Sequence, residues 1–371
     1  MELAARAGAW AKNGSPTPSS YGGLCFTAES ANSSVQLTAV GSAPTVTLIK
    51  SFDGVNWGDY AVGEVIDLPS IGKSVYLAAG EGGNETFGSS SSNYHQFVIN
   101  GLVAASGDIT SLRNFDLAQT TLVQYCYYRM FYGCTGLTSA PELPATTLAL
   151  SCYYKMFGDC TGLTSAPELP ATMLADYCYS EMFRGCTGLT SAPELPATTL
   201  VQYCYYRMFY GCTGLTSAPE LPATTLAQYC YNRMFYGCTG LTSAPELPAT
   251  TLNTSCYTSM FQGCTGLTSA PELPATKLAS NCYRSMFYGC TGLTSAPELP
   301  ATTLAGSCYF SMFQGCAHLS LIKVHFTAWG MQTNNWVGNV PSTGTFYKPS
   351  ALPKEFSTSK IPTGWTVVNI D

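Results

Sequence analysis

The sequence predicts an α/β repeat solenoid, with one short strand plus one short helix per 26-residue repeat, preceded by an all-β sandwich-like domain. Three observations predict it. The string CTGLTSAPELPA recurs unchanged from Cys134, Cys160, Cys186, Cys212, Cys238, Cys264 and Cys290. The end copies are degenerate: Cys316 continues as AHLSLIKV, and SLRNFDLAQTTL from Ser111 aligns loosely with LTSAPELPATTL. Stacked repeats need such atypical ends to close an otherwise open core. Ahead of the array, LCFTA, SVQLTAV, TVTLIKS, EVIDLPS, SVYLAA and HQFVING are short apolar runs separated by Gly, Asn, Ser and Asp. That pattern reads as a sandwich.

One repeat, Leu137 to Gly158, justifies the two elements. In LTSAPELP, Thr138 to Ala140 predicts a short strand, which Pro141 must cut short or bulge because it has no N–H for the ladder. In ATTLALSCYYKMFG, Thr146 or Thr147 supplies a helix N-cap. Leu148, Cys152, Tyr153, Met156 and Phe157 then follow helical spacing, and Gly158 ends the helix. Such a unit cannot bury its own apolar face, whereas stacked units can.

The division of the chain follows. Residues 1–22 form an N-terminal arm and linker, 23–108 the sandwich-like domain, 109–324 the solenoid and 325–371 a C-terminal cap rich in Trp. Charged residues are only 10% of the chain and the net charge is −6, with no basic run, which excludes nucleic acid as a partner. No apolar stretch is long enough to insert in a membrane. Glu2, Arg6 and Lys12 interrupt any apolar core of a secretory signal, so the start does not read as one.

Of 17 cysteines, all but Cys25 fall in the array, two per block, following the period. Buried reduced thiols are favoured over disulfides. Metal binding is disfavoured, since seven residues separate each pair and no His accompanies it. Asp53, Asn56 and Asp59 have calcium-ligand character, but a polar turn at Asp53-Gly54 is the simpler reading. IGKS at 71–74 ends like a phosphate loop, but Asp67 stands where its first Gly belongs. Glu142, Glu168, Glu194, Glu220, Glu246, Glu272 and Glu298 form a ladder that solvation or calcium would relieve, and solvation is simpler. The three histidines lie in no nucleophile motif, and seven identical Glu cannot divide the roles of acid and base. The chain reads as neither an enzyme nor a holder of a cofactor or metal.

Leu-x-x-Ala-Pro-x-Leu-Pro, followed by a Cys, Met-Phe and Gly-Cys-x-x-Leu, is similar to the BspA-like class of leucine-rich repeats. The chain departs from the pattern by Pro141 and its equivalents, and by about three extra residues per block. The region before the array and the Trp-rich ending resemble segments that accompany such repeats in surface proteins of gut Bacteroidetes and in their phages. The resemblance implies adhesion or attachment.

Variation among the copies concentrates at four positions, occupied in the first by Tyr125, Tyr128, Arg129 and Tyr132. On a helix these share one side, opposite Leu122, Cys126 and Met130. The palette is Tyr, Ser, Asn and Arg, which paratopes use because Tyr offers large area at small entropic cost. A solvated surface under relaxed constraint also varies, but usually carries Lys and Glu. The candidate binding stripe is Tyr125, Tyr128, Arg129, Tyr132, Tyr203, Tyr206, Arg207, Tyr210, Tyr229, Arg233 and Tyr236. The expected partners are a host surface glycan or protein and other virion proteins, with an oligomer left open. The resemblance, with a start that does not read as a secretory signal, implies a phage virion component, fibre-like in tail or head; the alternatives are a bacterial cell-surface or secreted adhesin, or a structural decoration protein that acts as a spacer.

Overall fold

The structure is a computed structural model that describes residues 23–115 and 119–370; the expected arm over 1–22 lies outside them. The chain divides into two compact units, Met1–Ala171 and Thr172–Asp371.

In the first unit, ten strands form two sheets. They are β1 (Leu24–Ala28), β2 (Ser33–Val40), β3 (Leu48–Ser51), β4 (Gly58–Tyr60), β5 (Val65–Leu68), β6 (Ser74–Ala79), β7 (Gly88–Ser90), β8 (Asn93–Asn100), β9 (Val103–Ser106) and β10 (Leu137–Ser139). One sheet runs β10-β9-β1-β6-β3-β4 and the other β5-β2-β8-β7. Strand β2 shows why: Ser33, Val35 and Leu37 are buried and the residues between them are not, a two-residue period with one face inward. Phe26 of β1 meets Phe97 of β8 edge-on, with centroids 5.0 Å apart, at the seam between the sheets. The sandwich also closes the first coil of the array. Strand β10 lies parallel to β9, with Leu137 opposite Val103. The amides of Phe87, Phe97 and Val103 donate to the carbonyls of Cys126, Met130 and Gly136.

The array corrects the predicted class. No α-helix forms in any copy over the described residues, and the solenoid is all-β and turn, not α/β. Where the helix is expected, alternate amides take two different partners. Tyr127, Arg129, Phe131 and Gly133 donate to Cys152, Tyr154, Met156 and Gly158 of the next coil. Tyr128, Met130, Tyr132 and Cys134 donate three residues back, to Tyr125, Tyr127, Arg129 and Phe131. Each coil is thus a run of tight turns laddered to its neighbour. The turns need left-handed corners: Tyr125 (φ 56°), Arg129 (φ 54°) and Gly133 (φ 73°) stand four residues apart. Two non-glycine corners recur in every copy, at φ between 52° and 58°.

Ring spacing gives the physical reason that a helix loses. Tyr127 and Tyr153 stack at 5.8 Å, and Phe131 and Phe157 at 5.4 Å. Successive copies therefore step by about half of the ~10 Å width of a helix with its side chains. At that step only an extended or turning backbone fits, with its polar groups satisfied by the coil above.

The second unit repeats this construction. Tyr179, Glu181, Phe183 and Gly185 donate to Cys204, Tyr206, Met208 and Tyr210. Opposite the corners, the LTSAPELP segments of the intervening copies make only isolated bridges, such as Ser191 to Ser217, because two of their residues are prolines. A regular parallel sheet appears at β11 (Ser295–Leu299), β12 (Leu321–Val324), β13 (Thr345–Lys348) and β14 (Thr366–Asn369). There the LIKV of β12 replaces the proline-bearing sequence and can donate throughout. Residues beyond Val324 continue the coils. Tyr309, Ser311, Phe313 and Gly315 donate to Gln332, Asn334, Trp336 and Gly338, and Asn335 and Asn339 supply left-handed corners.

Candidate binding face

The four variable columns lie between the inward pairs of the corner repeat. Inward pairs such as Cys126-Tyr127 and Met130-Phe131 are fully buried, and the residues between them range from half-buried, as at Tyr206 and Arg207, to buried, as at Ser180, Asn232 and Ser259. The helical argument for one face against another is therefore replaced by a period of four, with two of the variable columns on the left-handed corners themselves. A fifth variable column was missed in the sequence: Gln124, Leu150, Asp176, Gln202, Gln228, Thr254, Ser280 and Gly306. It is found by extending the comparison one residue toward the N-terminus. In it Gln202 Nε2 donates to Gln228 Oε1 at 3.2 Å.

In the first unit, the sandwich lies over the face of copy one. Tyr128 is only 5% exposed, edge-on to Tyr94 with centroids 5.2 Å apart. Arg129 sits 5.9 Å from the Tyr94 ring, 5.4 Å from Tyr128 and 5.2 Å from Tyr132. Its Nη1 donates to the Tyr94 hydroxyl at 3.4 Å. Tyr125 is half-buried, and its carbonyl lies so close to Gly88 that a Cβ there would sit 2.5 Å from it.

In the second unit, Tyr203, Tyr206, Arg207, Tyr210, Tyr229, Arg233 and Tyr236 come together and all are half-buried. Tyr177, Tyr203 and Tyr229 stack in a column at 4.5 Å and 4.6 Å. Tyr210 and Tyr236 make a second column at 4.6 Å. Arg207 lies 4.9 Å from the Tyr206 ring and 5.6 Å from Tyr210. Desolvation within the column, reinforced by Tyr177 and Tyr229, pushes the Tyr203 phenol up to about 12. Glu181, buried, holds Arg184 at 3.3 Å.

The remaining candidates behave differently. All seven Glu of the ladder are exposed, and Glu298 at its end accepts from Lys323 at 2.9 Å and His325 at 2.5 Å, which lowers its pKa. The Asp53 carboxylate is engaged by its own loop, accepting from the amides of Val55 and Asn56 and from the Ser51 hydroxyl. Among the described residues no group of three or more His, Cys, Asp and Glu is placed to hold a metal ion. No helix of the described residues is long and apolar enough to cross a membrane.

A model of the BspA type leucine rich repeat region matches residues 107–213, 153–294 and 229–328, which together span more than half of the chain. No curated protein and no solved structure matches. The 26-residue period, the laddered coils and this match agree, and the chain belongs to the BspA-type leucine-rich-repeat family.

Proposed function

We propose that this chain is a non-enzymatic recognition protein that contacts a cell surface through its solenoid. The family is one of surface and adhesion-type repeat proteins and is generally non-enzymatic. One observation carries the reading. In a repeat that is otherwise nearly invariant, substitution is concentrated between the inward pairs and drawn mainly from Tyr, Ser, Asn and Arg. Packing fixes the inward residues and leaves those between them free to follow a partner.

Within that reading, the protein is a component of a phage virion that meets the host surface and is held by other virion proteins. The support is the likeness of the flanking segments to those that accompany such repeats in phages, together with free thiols, which suit assembly in a reducing cytoplasm. A bacterial surface adhesin is the second reading. Attachment of the purified protein to bacterial cells, wild type against Tyr203→Ser/Tyr229→Ser/Tyr236→Ser at equal melting temperature, tests recognition. Loss of attachment is expected. Unchanged attachment would make the array a spacer. Antibody labelling of intact virions, against labelling of cells, decides between the two settings.

A further inference from the structure

Arg207 and Arg233 occupy the same corner in adjacent copies. Among the described residues neither makes an ion pair or donates a hydrogen bond from its side chain, and the Nε of each is shut from solvent with no acceptor. This is not general basicity, since the chain carries a net charge of −6. Nor is it how the nearby Arg184 is treated, for Arg184 is matched by Glu181. Parallel coils stand about 4.8 Å apart, and two like charges at that distance repel by roughly 1 kcal/mol in water and more as water is removed. The left-handed backbone fixes where both side chains leave the coil, at φ 52° for Arg207 and 55° for Arg233. Two arginines at the same left-handed corner of adjacent coils, neither paired with a carboxylate among the described residues, make a site suited to anions spaced by about one coil.

The flanks say what carries the anions. Tyr203 stacks on Tyr229 and Tyr210 on Tyr236, both at 4.6 Å, and Arg207 lies over the rings of Tyr206 and Tyr210, so the arginine corner stands beside aromatic columns that advance coil by coil. Aromatic faces suit the C–H faces of pyranose rings, and phenol hydroxyls suit their hydroxyl groups. A planar carboxylate matches the guanidinium fork. Two arginines without a wider basic stripe are too few for a nucleic-acid backbone.

We propose that the Arg207–Arg233 face binds an acidic polysaccharide of uronate residues, with successive carboxylates on the two arginines and sugar rings against the tyrosine columns. This rests on the recognition reading and names its ligand class. The test is calorimetric titration of the full chain with oligogalacturonate, and with dextran as the neutral probe. Oligogalacturonate should bind, more weakly as salt is raised, and dextran should not. Arg207→Gln/Arg233→Gln should lower the affinity about tenfold or more, as for loss of charged hydrogen bonds. Arg207→Lys/Arg233→Lys should recover part of it, and serves should the Gln variant be unstable. Equal binding of dextran, or Gln and wild-type proteins binding alike, overturns the proposal. Cell attachment that is lost with the tyrosines while no uronate binds would also overturn it, and leave recognition standing.

Discussion

The thiol of Cys212 donates to the carbonyl of Phe183, one coil back, at 3.0 Å. Cys238, Cys264, Cys290 and Cys316 do the same to Phe209, Phe235, Phe261 and Phe287. The second cysteine of a block is thus a small buried residue that also stitches coils, and all 17 cysteines are free and buried.

Burial raises these thiols, Cys238 and Cys256 from an ordinary 9.0 to about 12. The sign follows. Above pH 9 the unfolded chain loses thiol protons that the folded chain keeps, so stability is full below about 9 and falls as pH rises toward 12. Each such thiol contributes a loss of about 1.4 kcal/mol per pH unit across that window. The array should therefore unfold steeply in mild alkali, which circular dichroism against pH would follow. Thiol reagents should find almost none of the cysteines in the native protein at neutral pH and all of them in denaturant. Partial titration in denaturant without reductant would mean disulfides.

Two glycines separate backbone from steric demands. Gly211 is a left-handed corner at φ 72° with open space where a Cβ would stand, so Gly211→Ala should cost about 1 kcal/mol from conformation alone. Gly240 has no positive φ, but a Cβ there would stand 2.6 Å from the Thr213 carbonyl. Gly240→Ala should cost about 2 kcal/mol or more by pushing coils apart. In copy two Asp159 holds the corner at φ 59°, and Asp159→Gly should gain about 0.5–1 kcal/mol. Denaturant midpoints of the three variants give the order directly.

Tyr205 and Tyr283 are buried in the stacked column with hydroxyls that have no hydrogen-bond partner among the described residues. An unpaired buried hydroxyl costs about 1–3 kcal/mol, so Tyr205→Phe should stabilise by about 1 kcal/mol. Tyr127, whose hydroxyl reaches the Ile109 carbonyl at 3.4 Å, should gain nothing from the same change. Melting temperatures of the two variants would check the contrast. A loss of stability in Tyr205→Phe would count against the burial of an unsatisfied phenol.

The repeat length, its degenerate ends and the sandwich-like strands were legible in the sequence, because identity at a fixed step and two-residue alternation are local signals. The corner geometry was not. Inward pairs at 126-127 and 130-131 recur every four residues. A helix turns about 400° in four residues, so the two patterns drift apart by only about 40° per unit and stay indistinguishable over three units. What decides is the step between copies, a property of stacking that no single copy displays. The variable columns were found because copies can be compared with each other, and they survive the change from helix to corner since both bury Cys126 and Met130. The cover that the sandwich places over Tyr128 through Tyr94 joins residues distant in sequence and left no trace in either segment.

The C-terminal coils should be indispensable where an internal coil is not. Trp336 is fully buried, with its ring 6.4 Å from Tyr309 and 6.1 Å from Phe313, and its indole N–H donates to Lys360 at 2.8 Å. Truncation after Val324 would strip that cover and leave the amides of Tyr309, Ser311, Phe313 and Gly315 without their acceptors. Exposed aromatic core and an open ladder favour association edge to edge, so this variant should aggregate. Deletion of Cys204 to Tyr229 removes one whole coil and joins Tyr203 to Cys230, recreating a junction already present in the chain. Stability in such arrays is nearly a sum over neighbours, so this protein should stay soluble and folded with a modestly lower melting temperature. Light scattering and thermal melts of the two variants distinguish them. An internal deletion that unfolds the chain while the truncation stays soluble would show that the coil boundaries, or the role of Trp336 as a cover, have been misplaced.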